Sequence, residues 1–226
     1  ELQRCNLESL CLQVKQTAPS MSIQSVLGAA LDPPPNESVS QAIQRLAAQS
    51  TLNIGETEGG ETLTTLGALV AGLPLDPAVA RMLLLGLLLQ APEVALTLAA
   101  ALGTPQAFLP RSKSGGRGTS MGTRLVKAEQ WGEEAGLGGH TSDVLAVVEA
   151  YEAWRKRVGS RAGNPRDEEW VRDWLPTLKH IHALRDQLRR QLVQLKLLPP
   201  SDYFENETQR EIFNLHSGIG PLRQAL

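Results

Sequence analysis

Four histidines, His140, His180, His182 and His216, are the first residues to weigh for chemistry, and their spacing supports none. His180 and His182 lie two apart on an expected helix, so they face different directions and do not share one metal ion. They read as surface or packing side chains. Glu133-Glu134 and Asp167-Glu168-Glu169 read as solvated loop charges rather than an acid/base pair. Cys5 and Cys11, six apart, give neither a metal spacing nor a disulfide framework, which points to a reducing compartment. No GxxxxGK[ST], DEAH tetrad, HExxH or GxSxG occurs in the sequence. What remains is cationic. Residues 111–124, RSKSGGRGTSMGTR, carry four basic side chains and no acid, a weak pointer to phosphate at Arg111, Lys113 and Arg117. The plainer reading of that segment is a flexible exposed loop. Arg155-Lys156-Arg157 closes an expected helix, where cations suit the helix dipole. Arg185, Arg189 and Arg190 read first as the solvated side of an amphipathic helix, and second as a stripe contacting a phosphate backbone.

The elements that must position these groups are helical. Apolar residues make up 42% of the 226 and aromatics only 4%, so the filler is Leu and Ala. Asn6 is placed to cap a helix in which Leu7, Leu10, Cys11 and Val14 share a face. A short helix around Ile23–Ala29 leads into LDPPPNES. Asn36 there supplies a cap oxygen and Glu37 the negative charge that suits a helix start. Val39, Ala42, Ile43, Leu46 and Ala47 then form one apolar face. Leu52–Ile54 and Glu61–Leu63 flank ETEGG and predict a hairpin. Three helices followed by a small hairpin is the order of a winged helix.

A helix from Thr64 meets LPLDP, where Pro74 stops it. Asp76 caps the next helix with Pro77 at its first position. That break marks a junction between modules. Residues 78–90 are apolar almost all round and predict a buried helix. Glu93–Leu102, a helix after Thr141 or Ser142, and a long stretch carrying Trp170, Trp174, Leu178, Ile181, Leu184, Leu188, Leu192 and Leu195 follow, with a kink expected at Pro176. The expected fold is mainly α: a winged helix with a small β-hairpin over 1–74, a ratchet-like helical bundle over 75–198, and a tail over 199–226. The apolar run Met82–Leu89 is too short to span a bilayer, so no membrane partner is expected. Residues 1–110 carry a net charge of −5 and residues 111–226 a net of +3. A free-standing nucleic-acid binder is more basic, so any nucleic-acid contact should be local and shared with other parts.

Several segments resemble the helicase-associated C-terminal region of DEAH/RHA-type ATP-dependent RNA helicases. ELQRCNLESLCLQVKQ, ALDPPPNESVSQAIQRL, LTTLGALVAGLPLDPAVARMLLLG, SDVLAVVEAYEAW and LPTLKHIHALRDQL match its winged-helix start, its DPP-then-helix segment, its LT-LG junction, its Ser-Asp helix and its last ratchet helix. The family's usual His and Asn stand here as Val144 and Glu149. The resemblance implies that ATP and Mg belong to RecA-like domains outside this fragment, which itself holds no cofactor and should hydrolyse no ATP. It implies an intracellular accessory fragment that supports the RecA motor and forms one wall of a single-stranded RNA channel. Further implied partners are the parent's RecA-like and OB-fold domains, and an activator peptide on the winged helix around Glu37–Gln49. Candidate RNA contacts are Arg111, Lys113 and Arg117, then Ser142 and Asp143, with Lys179, Arg185 and Arg189 as second choice. Two alternatives stand beside this reading. One is a protein-interaction scaffold of a degenerate helicase relative in a ribonucleoprotein assembly. The other is a winged-helix DNA binder, ranked last because ESVSQAIQRLAAQ offers one Arg and one Glu.

Overall fold

A computed structural model of the chain describes residues 6–55, 60–104, 143–159 and 169–200. Those residues are mostly helical, with one two-stranded antiparallel sheet, as the composition predicted. The chain divides into two compact units, residues 1–85 and 86–226.

The first unit opens with α1, Leu7–Thr17, where Asn6 Oδ1 accepts a hydrogen bond from the Glu8 backbone N at 3.0 Å. Its buried seam is Cys11, Leu12 and Lys15, with Leu7, Leu10 and Val14 only half-buried. The predicted face is therefore rotated, because a lysine takes a core position. Lys15 Nζ reaches the Met21 carbonyl at 2.7 Å and Glu61 Oε2 at 3.3 Å, so its charge is neutralised where it is buried. Helix α2, Ile23–Gly28, is capped by Ser22. Helix α3, Asn36–Ala48, begins at Asn36 with Pro35 in the cap position and no side-chain cap bond. Asn36 is thus the first helical residue and not the cap expected from sequence, because Pro35, extended at ψ 133°, already takes the cap position. Val39, Ala42, Ile43 and Leu46 are buried, as their spacing requires.

Strands β1, Leu52–Asn53, and β2, Thr62–Leu63, pair antiparallel with Leu52 opposite Leu63. Helix α4, Thr65–Ala71, explains the LTTLG text. Thr64 Oγ1 accepts from the Gly67 backbone N at 2.9 Å and donates back to the Ser50 carbonyl at 2.8 Å. A Cβ on Gly67 would lie 1.9 Å from the Thr51 carbonyl oxygen, so only glycine lets α4 sit against the hairpin. Helix α5, Pro77–Leu88, starts on Asp76, whose Oδ1 accepts from the Ala78 N at 3.0 Å. Asp76 Oδ2 also accepts from Asn6 Nδ2, so the caps of α1 and α5 hold each other.

The division between units falls inside α5. Only Pro77, Ala80, Leu83 and Leu84 are buried along it. Leu85, Leu88 and Leu89 are exposed, Leu88 at 79%. This corrects the expectation of a helix buried all round: one face packs, and the opposite apolar face has no cover among the described residues.

The second unit holds α6, Pro92–Leu102, α7, Asp143–Gly159, and α8, Glu169–Gln194, which pack on one another. A Cβ on Gly86 would lie 2.3 Å from the Ala95 Cβ, so glycine permits the close turn into α6. Pro176 lies inside α8 without ending it.

Candidate functional site

The three helices of the second unit meet over a core of Leu96, Ala99, Val148, Tyr151, Leu178, Ile181, Leu188 and Leu192. The spacing along α8 puts Arg185 on this same buried face, one turn before Leu188. Its side chain is 5% exposed. Two of its nitrogens find acceptors on α6. Nη2 pairs with Glu93 Oε2, and Nε donates to Thr97 Oγ1 at 3.2 Å. One turn on, Arg189 Nη1 donates to Glu93 Oε1 at 2.6 Å. From α7, Arg155 Nη1 lies 3.5 Å from Glu93 Oε2, while its Nη2 pairs with Glu152 at 2.9 Å. The Thr97 hydroxyl lies 3.1 Å from Glu152 Oε1 and 3.0 Å from the Glu93 carbonyl, so it is shared between them. Three guanidinium groups from two helices therefore converge on one carboxylate in the first turn of a third.

Electrostatics follow from this geometry. Burial alone raises the Glu93 carboxyl's pKa, but Arg185, Arg189 and Arg155 outweigh it and hold the group below the usual carboxylate range. The ionised form is the one built in. Removing the carboxylate from such a cluster is costly, because Arg185 is left buried without a counter-charge.

Beside it lies an aromatic group. Tyr151 is fully buried, and its hydroxyl is 2.7 Å from His182 Nδ1. His182 Nε2 is 3.4 Å from Asp186 Oδ2 one turn later. A neutral imidazole carrying its proton on Nε2 lets Tyr151 donate to Nδ1 and lets the ring face Asp186. Trp154 stands edge-on to His182 at 5.8 Å between centroids. Burial pushes the Tyr151 phenol up to about 12, against the opposing pull of Arg185 and Arg155. The arrangement is an electrostatic and aromatic lock between helices.

Of the sequence candidates, Arg111, Lys113, Arg117 and Ser142 lie outside the described residues. Asp143 begins α7, and its side chain lies outside the description. Lys179 projects to solvent and makes no ion pair among the described residues. The expected solvated stripe is corrected: Arg190 is exposed, but Arg185 is buried and Arg189 is half-buried on Glu93. Glu93 itself was visible in sequence only as a helix-start charge. The signal for its role was the i, i+4 pair Arg185 and Arg189 matched by Glu93 and Thr97 at the same spacing. Among the described residues, no group of His, Cys, Asp and Glu could hold a metal ion. Nor is any helix among them long and apolar enough to cross a membrane.

Fold and site together define a helical module: two α-rich units, one bearing a small hairpin, with charge buried between helices of the second. No protein-family profile matches the chain. Curated relatives do. It is 30% identical over 88% of its length to the DExH-box ATP-dependent RNA helicase DExH6 of Arabidopsis thaliana, and 34% identical over 83% to DExH1 of the same plant. It is 29% identical over 85% to the mouse ATP-dependent DNA/RNA helicase DHX36. The chain is thus a helicase-associated region of the DEAH/RHA type. It spans 14%, 17% and 18% of the lengths of these three relatives.

Proposed function

We propose that this chain is the accessory winged-helix and ratchet region of an ATP-dependent RNA helicase, supporting a RecA-like motor and forming one wall of a single-stranded RNA channel. The observation that carries the reading is the order of elements: three helices and a hairpin, then α5 and a helical bundle, in a chain whose relatives are RNA helicases over most of its length. ATP and Mg²⁺ act on the RecA-like domains of the parent, and this region contributes shape and grip. A motor that moves along RNA needs contacts to the phosphate backbone without base readout, hence few cations, well placed. The uneven charge, −5 before residue 110 and +3 after it, suits a wall whose RNA-facing part lies in the second unit.

The test is photo-crosslinking of the 226-residue chain to 4-thiouridine-labelled single-stranded RNA, with the adducts mapped by mass spectrometry. Adducts are expected on residues 111–124, the start of α7 and the exposed side of α8. Adducts confined to residues 1–85, or none, refute the assignment. A second reading, a protein-interaction scaffold in a ribonucleoprotein assembly, is favoured by the exposed Leu85, Leu88 and Leu89. It predicts that replacing all three by Ser abolishes a protein contact and leaves RNA adducts unchanged.

A further inference from the structure

We infer that Glu93 withholds the bundle's arginines from nucleic acid, so that the phosphate grip of α8 falls to Lys179 and not to Arg185 or Arg189. The inference rests on the RNA-wall reading and refines which of its cations act. A carboxylate and a phosphate present the same planar oxygen pair to a guanidinium, so an arginine bound to one is lost to the other. Glu93 engages Arg189 through Oε1 and Arg185 and Arg155 through Oε2. A second acid, Glu152, holds the other face of Arg155. Arg185 is too deeply buried to reach a polymer. Arg155 and Arg189 are different. Their side chains are 39% and 23% exposed, but Arg155 keeps Glu152 when Glu93 is gone, so only Arg189 is freed toward solvent. Lys179 has no such partner among the described residues and stands exposed on the same helix.

The consequence is a weak, deliberately limited grip. A wall that lets a strand slide cannot bind it through every cation it owns. On this account Glu93 sets the number of charges offered to the backbone, and it does so from inside the bundle, out of contact with the strand.

The experiment measures affinity of the 226-residue chain for a fluorescein-labelled single-stranded oligouridylate across a KCl series. Each phosphate contact contributes about 0.7 to the slope of log K against log salt. Glu93→Gln keeps the side chain's shape and removes the charge; its slope is expected to steepen by about 0.7 as Arg189 is released, while Glu152 keeps Arg155. The double variant Glu93→Gln, Arg189→Gln returns to the wild-type slope, and Lys179→Gln alone flattens it by about 0.7. Should Glu93→Gln fail to fold by circular dichroism, Arg189→Gln decides instead. A held arginine leaves the slope unchanged on removal, whereas one already touching RNA flattens it by about 0.7. An unchanged or flatter slope in folded Glu93→Gln overturns the inference alone. A wild-type chain with no salt-dependent binding overturns the RNA-wall reading and the inference with it.

Discussion

Replacing Arg185 by Met and Glu93 by Gln should not cost the same, although each breaks the same ion pair. In Arg185→Met, Glu93 keeps Arg189 at 2.6 Å and Arg155 at 3.5 Å, so no charge is stranded. What is lost is a charge-assisted hydrogen bond to Glu93 and one to Thr97, about 1.5–3 kcal/mol. Met fills the same apolar volume beside Ile181 and Leu188 and offsets about 1 kcal/mol of that. The net loss is about 0.5–2 kcal/mol. In Glu93→Gln a guanidinium 5% exposed is left facing a neutral amide, with two further guanidinium groups close by. Leaving a buried charge without its partner costs about 3–5 kcal/mol. The difference between the variants is the prediction: Glu93→Gln is the worse by about 2 kcal/mol. Urea unfolding followed by tryptophan fluorescence measures it. The four tryptophans, at 131, 154, 170 and 174, all lie in residues 86–226, so the signal reports the second unit alone. Equal midpoint shifts for the two variants, or a larger one for Arg185→Met, would falsify the account of the cluster as a charge-neutralised core.

The same cluster should make the second unit acid-sensitive. Because the folded Glu93 carboxyl is held below its ordinary value of 4.5, its contribution is complete above that value and is lost as pH falls through the lowered one. The wild-type tryptophan midpoint is therefore expected to drop in acid more steeply than that of Glu93→Gln; parallel curves would refute this. In the first unit, burial lifts the Cys11 thiol from 9.0 to about 12, with Glu8 and Glu61 adding to the rise. Its contribution is full below pH 9 and erodes between 9 and 12, so Cys11→Ala should remove part of the alkaline destabilisation seen by circular dichroism. Gly67→Ala places a Cβ 1.9 Å from the Thr51 carbonyl and is expected to lower first-unit stability by about 2 kcal/mol or more, with the second unit's fluorescence transition unmoved. Ser50 closes α3 with φ of 59°, so Ser50→Gly should stabilise by about 0.5–1 kcal/mol; a loss of stability on that change would show that Ser50 makes contacts worth more than the backbone relief.

Element identity was legible because the punctuation is strong. Asn6, Thr64 and the Asp76-Pro77 pair each announce a helix start, and each makes the cap bond its residue type offers. The hairpin was legible from β-favouring residues around a glycine-rich turn. Misplacements occurred where a local signal met a tertiary demand. Asn36 looked like a cap, but the prolines before it had already taken that role. Lys15 lay off the expected apolar face and Arg185 looked solvated by type, yet both sit in cores because Glu61 and Glu93 meet them there. Those partners lie 46 and 92 residues away in the chain, and helical periodicity is blind beyond one helix. Helix α5 misled in the opposite direction: hydrophobicity on every side predicts burial only when enough neighbours exist to cover every side.

The mutual capping of Asn6 and Asp76 has a bearing on how such a module travels between proteins. Side chains 70 positions apart in the chain meet at a single point, so the first helix of the unit and the helix that leaves it begin side by side. A module whose two ends coincide can be spliced between unrelated neighbours without stretching either junction, in the way that insertions are tolerated where termini lie close together. Chain order and spatial layout are thereby uncoupled. The interior of the unit is left free to diverge in sequence around that one pair of side chains.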